Sequence, residues 1–134
     1  MQRIVLMVLT LGLLAPACTD PVAPPAPSPV APTITETFND TLLQLGTNTH
    51  LFNVNQIGGL KVTLADIAPD ATVSFGIGTQ SLVGCTIIQQ LKRDPGGANQ
   101  LSGTATTTGQ FCVMVFDSGA LVEPVTYTVT VLHS

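Results

Sequence analysis

An all-β fold, a small antiparallel β-sandwich (jelly-roll-like) of about eight strands, is what this chain predicts, on three observations. From Ile34 onward the apolar residues come in short alternating or continuous runs of strand length, with no convincing amphipathic helix among them. Turn residues divide these runs along the whole segment. The polar surface is built from hydroxyls and amides: only 9% of residues are charged, while 18 threonines follow Cys18. Thr and Val are stiff at χ1 and suit a pleated sheet.

The strands are read, in order, at Ile34 to Phe38, His50 to Val54, Leu60 to Leu64, Ala71 to Ile77, Leu82 to Gln89, Gln100 to Thr104, Gln110 to Phe116 and Val125 to Leu132. Between them, Ile57-Gly58-Gly59, Asp94-Pro95-Gly96-Gly97 and Asp117-Ser118-Gly119 are expected to supply positive-φ turn residues. The last strand is the clearest. Val125, Tyr127, Val129 and Val131 alternate with Thr126, Thr128 and Thr130, which predicts one core face and one hydroxyl face. Phe111 to Phe116 is apolar on both faces and predicts a central strand covered on each side.

The amino terminus has a different grammar. Met1-Gln2-Arg3 is a short positive segment, Ile4 to Leu14 an apolar run too short to span a bilayer, and Ala15-Pro16-Ala17 a small-residue close before Cys18. That order predicts a cleaved signal peptide over residues 1–17. Cys18 directly after a small residue resembles the lipobox of bacterial lipoproteins, although Ala15 stands where those boxes usually carry Leu.

Two downstream features favour lipid on Cys18 over a freely secreted chain. Residues 18–32 form a lipidated cysteine and a Pro/Ala-rich linker, whose polyproline II reach is roughly 40 Å at about 3 Å per residue. A tether implies an anchor. Of the three cysteines only Cys85 and Cys112 fall in the folded part, residues 33–134, and in an oxidising compartment they are expected to form a disulfide. In the lipoproteins that this segment resembles, Asp directly after the cysteine goes with retention in the inner membrane; Thr19 stands there instead, so the resemblance implies the outer membrane or cell surface.

Charge narrows the partners. Beyond Cys18 three bases (Lys61, Lys92, Arg93) face eight acids, a net charge of about −5 by counting ionised side chains. A phosphate backbone would be repelled, so no nucleic acid is expected.

The stretches ETFNDTL, HLFNV, GGLKVTL, GQFCVMVFDSG and PVTYTVTV, which together run from Glu36 to Val131, resemble the bacterial pre-peptidase C-terminal domain. That resemblance implies a small β-sandwich of the kind appended to secreted peptidases and also found alone. Phe52 takes the place of the family's central Phe, and Cys112, Asp117 and Tyr127 lie in the best-matching stretches. Some relatives bind calcium near their first strand, which draws attention to Glu36, Asn39 and Asp40.

Catalysis finds little support. The histidines are His50, beside a strand, and His133, the penultimate residue and expected to fray. No G-x-S-x-G elbow is present, and the single tyrosine reads as core. Asp66 and Asp70 flank Pro69 in what reads as a solvated loop. Calcium needs six to eight oxygens, and no EF-hand pattern supplies them, so no cofactor or metal is expected. Sugar platforms show exposed aromatics, and this chain has no Trp.

The reading is a non-catalytic exported envelope lipoprotein, held to the membrane through a lipid anchor and presenting a binding or structural surface to a protein or cell-wall matrix ligand. The alternative is a soluble secreted accessory or carrier domain assisting a separately encoded extracellular enzyme.

Overall fold

The structure is a computed structural model that describes residues 24–25 and 33–134. The expected signal peptide, Cys18 and most of the expected linker lie outside the described residues. Eight strands follow: β1 (Ile34–Leu42), β2 (Thr47–Val54), β3 (Gly58–Ala68), β4 (Val73–Ser81), β5 (Gly84–Arg93), β6 (Gln100–Ala105), β7 (Gly109–Phe116) and β8 (Val125–His133). Each contains most of an expected run, and no helix occurs among the described residues.

One sheet has the order β1-β8-β3-β6 and the other β2-β7-β4-β5, with every neighbouring pair antiparallel. Strands pair first with eighth, second with seventh, third with sixth and fourth with fifth. This is one long hairpin whose tip is Leu82-Val83, rolled until β8 meets β3 and β7 meets β4. The result is a double-sheet jelly roll.

Alternation fills the space between the sheets. Val125, Tyr127, Val129 and Val131 of β8 are at most 2% exposed. They meet Leu42, Phe52, Phe75, Val113 and Val115 in a single apolar core. On the opposite face of β8, Thr126 is exposed while Thr128 and Thr130 are half-buried.

β7 is internal to its sheet, and its outer face is partly covered by a device the sequence reading did not foresee. Opposite Cys112, Met114 and Phe116, strand β4 places Gly78, Gly76 and Ser74. A Cβ at Gly78 would lie 2.0 Å from the Thr86 carbonyl oxygen, and one at Gly76 would lie 2.9 Å from that of Gln89. The β5 backbone therefore coils across this face, over a track that only small residues leave open. Coiling brings Cys85 of β5 to 5.8 Å (Cα–Cα) from Cys112, and the two form a disulfide. Closing 27 residues contributes about 3.5 kcal/mol on a chain-entropy argument.

Three local expectations are corrected. Gly58 and Gly59 are not turn residues: both lie in β3 without positive φ, and a Cβ at Gly58 would press on the Ser134 side chain. Leu82 and Val83 are not strand but the hairpin tip, ended by Gly84 at φ +115. His133 does not fray: it pairs with Ile34 on one side and Leu60 on the other and is 1% exposed. The turns at Gly96 (φ +70) and Gly119 (φ +96) are as expected.

The sandwich has two poles. The near pole holds Thr33, where the chain enters the fold, with loops 55–57, 82–83 and 106–108. The far pole holds loops 43–46, 69–72, 94–99 and 117–124.

Candidate functional site

The far pole is organised by one carboxylate. Asp117 leaves β7 only 8% exposed, and its Oδ1 accepts the backbone N–H groups of Gly119 (2.9 Å), Ala120 (2.8 Å) and Leu121 (3.1 Å). Its Oδ2 accepts the N–H of Leu45 at 2.8 Å, and its own N–H donates to the Gly46 carbonyl at 3.0 Å. Burial alone would raise this carboxyl, but the four bonds from Leu45, Ala120, Leu121 and Gly119 outweigh it and hold it below its usual value.

Asp117 thereby ties the β1–β2 loop to the β7–β8 loop. Leu45 sits at φ +54, a conformation disfavoured for a branched side chain, and its N–H bond to Asp117 holds it there. Gln44 adds a second tie to the Leu121 carbonyl at 3.3 Å. The tied loops expose three large apolar side chains: Leu43 at 61%, Leu45 at 77% and Val122 at 86%.

Below this pole, between the sheets, lies a polar cluster. Asn48 Nδ2 donates to the Tyr127 hydroxyl at 3.1 Å, and that hydroxyl lies 2.7 Å from His50 Nε2. With Asn48 as donor, the phenol donates in turn to His50, whose proton is then assigned to Nδ1. Burial lowers the His50 pKa from its ordinary value, against a weaker upward pull from Asp40. Burial also pushes Tyr127 up to about 12, with Asn48 opposing and Asp40 reinforcing the rise. Phe38 stacks on the imidazole, ring centroids 4.9 Å apart.

His50 is half-buried, and its Nε2 is engaged by a phenol that is itself 2% exposed. Its role is to satisfy buried polar atoms. Tyr127 is core, as read from sequence, with its hydroxyl placed by residues 77 and 79 positions away. His133 is likewise engaged, its Nε2 lying 3.0 Å from Glu36 Oε1 and its ring against Phe52.

Of the acids singled out from sequence, Asp40 and Asp66 border one open pocket over β8, with Asn39, Thr126 and Thr128, whereas Glu36 and Asp70 lie elsewhere. Asp66 lies in β3, not in a loop, at φ +52 in the bulge between Ala65 and Ala68. Asp70 is in the loop and pairs with Arg93, which also donates to the Ala71 carbonyl at 3.1 Å. Of the suggested calcium donors, Glu36 and Asp40 share one face of β1, four residues and so about 13 Å apart. Asn39 faces the other way, its Oδ1 accepting from Thr128 at 2.7 Å. Among the described residues no group of three or more His, Cys, Asp or Glu could hold a metal. A cavity of about 120 Å³ between the sheets near β5 and β6 is lined by Leu60, Ile77, Leu101 and Phe111, with no ionisable group on its walls.

No protein-family model matches this sequence, and no curated protein matches it. Solved structures do share the fold. The crystal structure of Aeromonas hydrophila PliG, a periplasmic lysozyme inhibitor of g-type lysozyme, superposes with a TM-score of 0.57 at 12% identity, covering 74% of this chain and 86% of that one. The Yersinia pseudotuberculosis-derived mitogen superposes with a TM-score of 0.56 at 14% identity, covering 75% and 86%. At such identities the likeness is one of fold alone.

Proposed function

We propose that this chain is a non-catalytic envelope lipoprotein, anchored by lipid on Cys18, whose sandwich binds a protein ligand through the far pole. The observation that carries the reading is the Asp117 cradle. It fixes two loops in advance of binding and holds Leu43, Leu45 and Val122 out into solvent. Preorganised loops spare the ordering cost of association, and exposed apolar side chains are the usual anchors of a protein interface. Around the same pole Asp70 and Asp94 pair with Arg93 and Lys92, which leaves the charge of Asp40 and Glu123 in excess, so a cationic partner is favoured.

Two further points support it. Two proteins of the same fold are described as a lysozyme inhibitor and a mitogen. The best-matching stretches of the resemblance to the pre-peptidase C-terminal domain, GQFCVMVFDSG and PVTYTVTV, form β7, the Asp117 cradle and β8 here, and that resemblance favours a stand-alone binding or structural domain.

Mass measurement of the mature amino terminus tests the anchor. Diacyl or triacyl mass on Cys18 is expected. An unmodified cysteine there favours the soluble accessory domain instead. Binding is tested by biosensor against a g-type lysozyme and other cationic cell-wall enzymes. Affinity that survives the combined Leu43→Ser, Leu45→Ser and Val122→Ser changes removes the far pole from the reading.

A further inference from the structure

The near pole is built differently from the rest of the surface. Its three loops, Asn55-Gln56-Ile57, Leu82-Val83 and Thr106-Thr107-Thr108, contain no ionisable side chain. Between Asp70 and Lys92 the chain carries no charge at all, and the β4–β5 hairpin tip lies in the middle of that stretch. At the tip Leu82 is fully exposed and Val83 is 94% exposed; Ile57, in a neighbouring loop, is 65% exposed. Two adjacent aliphatic side chains standing free on a hairpin are held there by the nearby Cys85–Cys112 disulfide.

The charges are gathered at the opposite end. Toward the far pole lie six acids (Asp40, Asp66, Asp70, Asp94, Asp117, Glu123) and two bases (Lys92, Arg93). Among the described side chains the near half has one acid, Glu36, spent on His133, and one exposed base, Lys61. The domain is thus an electrostatic dipole with its negative end away from Thr33. Against an anionic lipid surface such a dipole turns its uncharged end inward.

The path of the chain points the same way. A lipid on Cys18 and a spacer of fourteen residues, with a reach of about 40 Å, lead to Thr33 on the near pole. We infer that the near pole is a membrane-docking surface, with Leu82, Val83 and Ile57 entering the headgroup region and Lys61 placed to meet lipid phosphates. This rests on the proposed anchor, and it adds an orientation: the far-pole loops point away from the bilayer toward their ligand. Aliphatic tips with a nearby cation are the chemistry of an interfacial contact, which lipidation by a tether alone does not require.

Because the chain has no Trp, single substitutions make clean reporters. The full mature chain carrying Leu82→Trp, and separately Leu45→Trp, is placed on vesicles of phosphatidylethanolamine and phosphatidylglycerol in which part of the lipid is brominated on its acyl chains. Loss of fluorescence at position 82 and none at position 45 is expected. Equal quenching at both positions, or none at position 82, overturns the inference. In a third chain, Ile57→Trp, quenching should fall to the level of position 45 once Leu82 and Val83 are both changed to Ser.

The mass of the same sample keeps the two readings apart. Quenching at position 82 without acyl mass on Cys18 sustains the docking surface and removes the anchor. Acyl mass without quenching at position 82 sustains the anchor and removes the docking surface.

Discussion

The two poles of this sandwich are closed by unlike chemistry. At the near pole a covalent bond between Cys85 and Cys112 holds a coiled hairpin, and the loops beside it are uncharged. At the far pole one carboxylate, Asp117, gathers four backbone N–H groups from two loops. The first closure answers to the redox state of the surroundings and is indifferent to acid; the second answers to acid and is indifferent to thiols. One β-sandwich can therefore be loosened at either end separately.

The largest expected effect is at the near pole. Replacing Cys85 and Cys112 together by Ser should lower the unfolding free energy by about 3.5 kcal/mol in urea titration. Hydrogen exchange should quicken around residues 80–86 while the Leu45 and Leu121 amides keep their protection. Loss of protection at both ends alike would show that the poles are one cooperative unit.

Next is Asp117→Ala, which strands four donors near the surface and should cost about 2 kcal/mol. The sign with pH follows from its lowered pKa: the contribution is complete above the ordinary carboxyl value of 3.8 and is lost as pH falls through the folded-state value. The wild type should therefore lose far-pole protection in acid before the disulfide-held hairpin does, and the variant should lack that step.

Tyr127→Phe should cost about 1 kcal/mol by removing the partner of His50 and Asn48. His50 has a lowered folded-state pKa, so its contribution is present above 6.5 and declines as pH falls from there through the folded-state value. Following the imidazole by NMR titration and the urea midpoint over the same range checks both statements. An imidazole titrating at or above 6.5 would contradict them.

The smallest effect contrasts with all of these. Leu82→Ser with Val83→Ser should change stability by less than about 0.5 kcal/mol, because both side chains already lie in solvent. A larger loss would mean that the tip supports the fold instead of being displayed by it.

What could be read from the residues was what is local. The Val/Thr alternation of β8 and the apolar run of β7 carry their period within nine residues, and both strands stand where that period put them. The pairing of Cys85 with Cys112 was legible because only two cysteines remain once Cys18 is set aside. The misreadings share the opposite cause. His133 looks terminal in the chain, yet β8 lies between β1 and β3, so its last residues are flanked on both sides. Gly58 and Gly59 carry a turn composition, yet in β3 the first makes room for Ser134.

The far-pole site was legible only in part. Asp117 before Ser118 and Gly119 announces a turn, but its bond to Leu45 spans 72 residues and leaves no mark in either segment. The separation of acids from the near-pole loops is visible in the sequence only after the strand order assigns each loop to an end. Exposure of Leu82 and Val83 needed the hairpin tip to be located, since as a run they read as the start of a strand.

The nested pairing sets an order of events. Among the described strands β8 is the one partner of β1 and one of two for β3, so the first sheet cannot close until Val125–His133 has joined it. Contacts of such long sequence separation make folding slow. The β4–β5 hairpin at the centre of the nest can form by itself, whereas β1 must wait for a partner that follows more than eighty residues later.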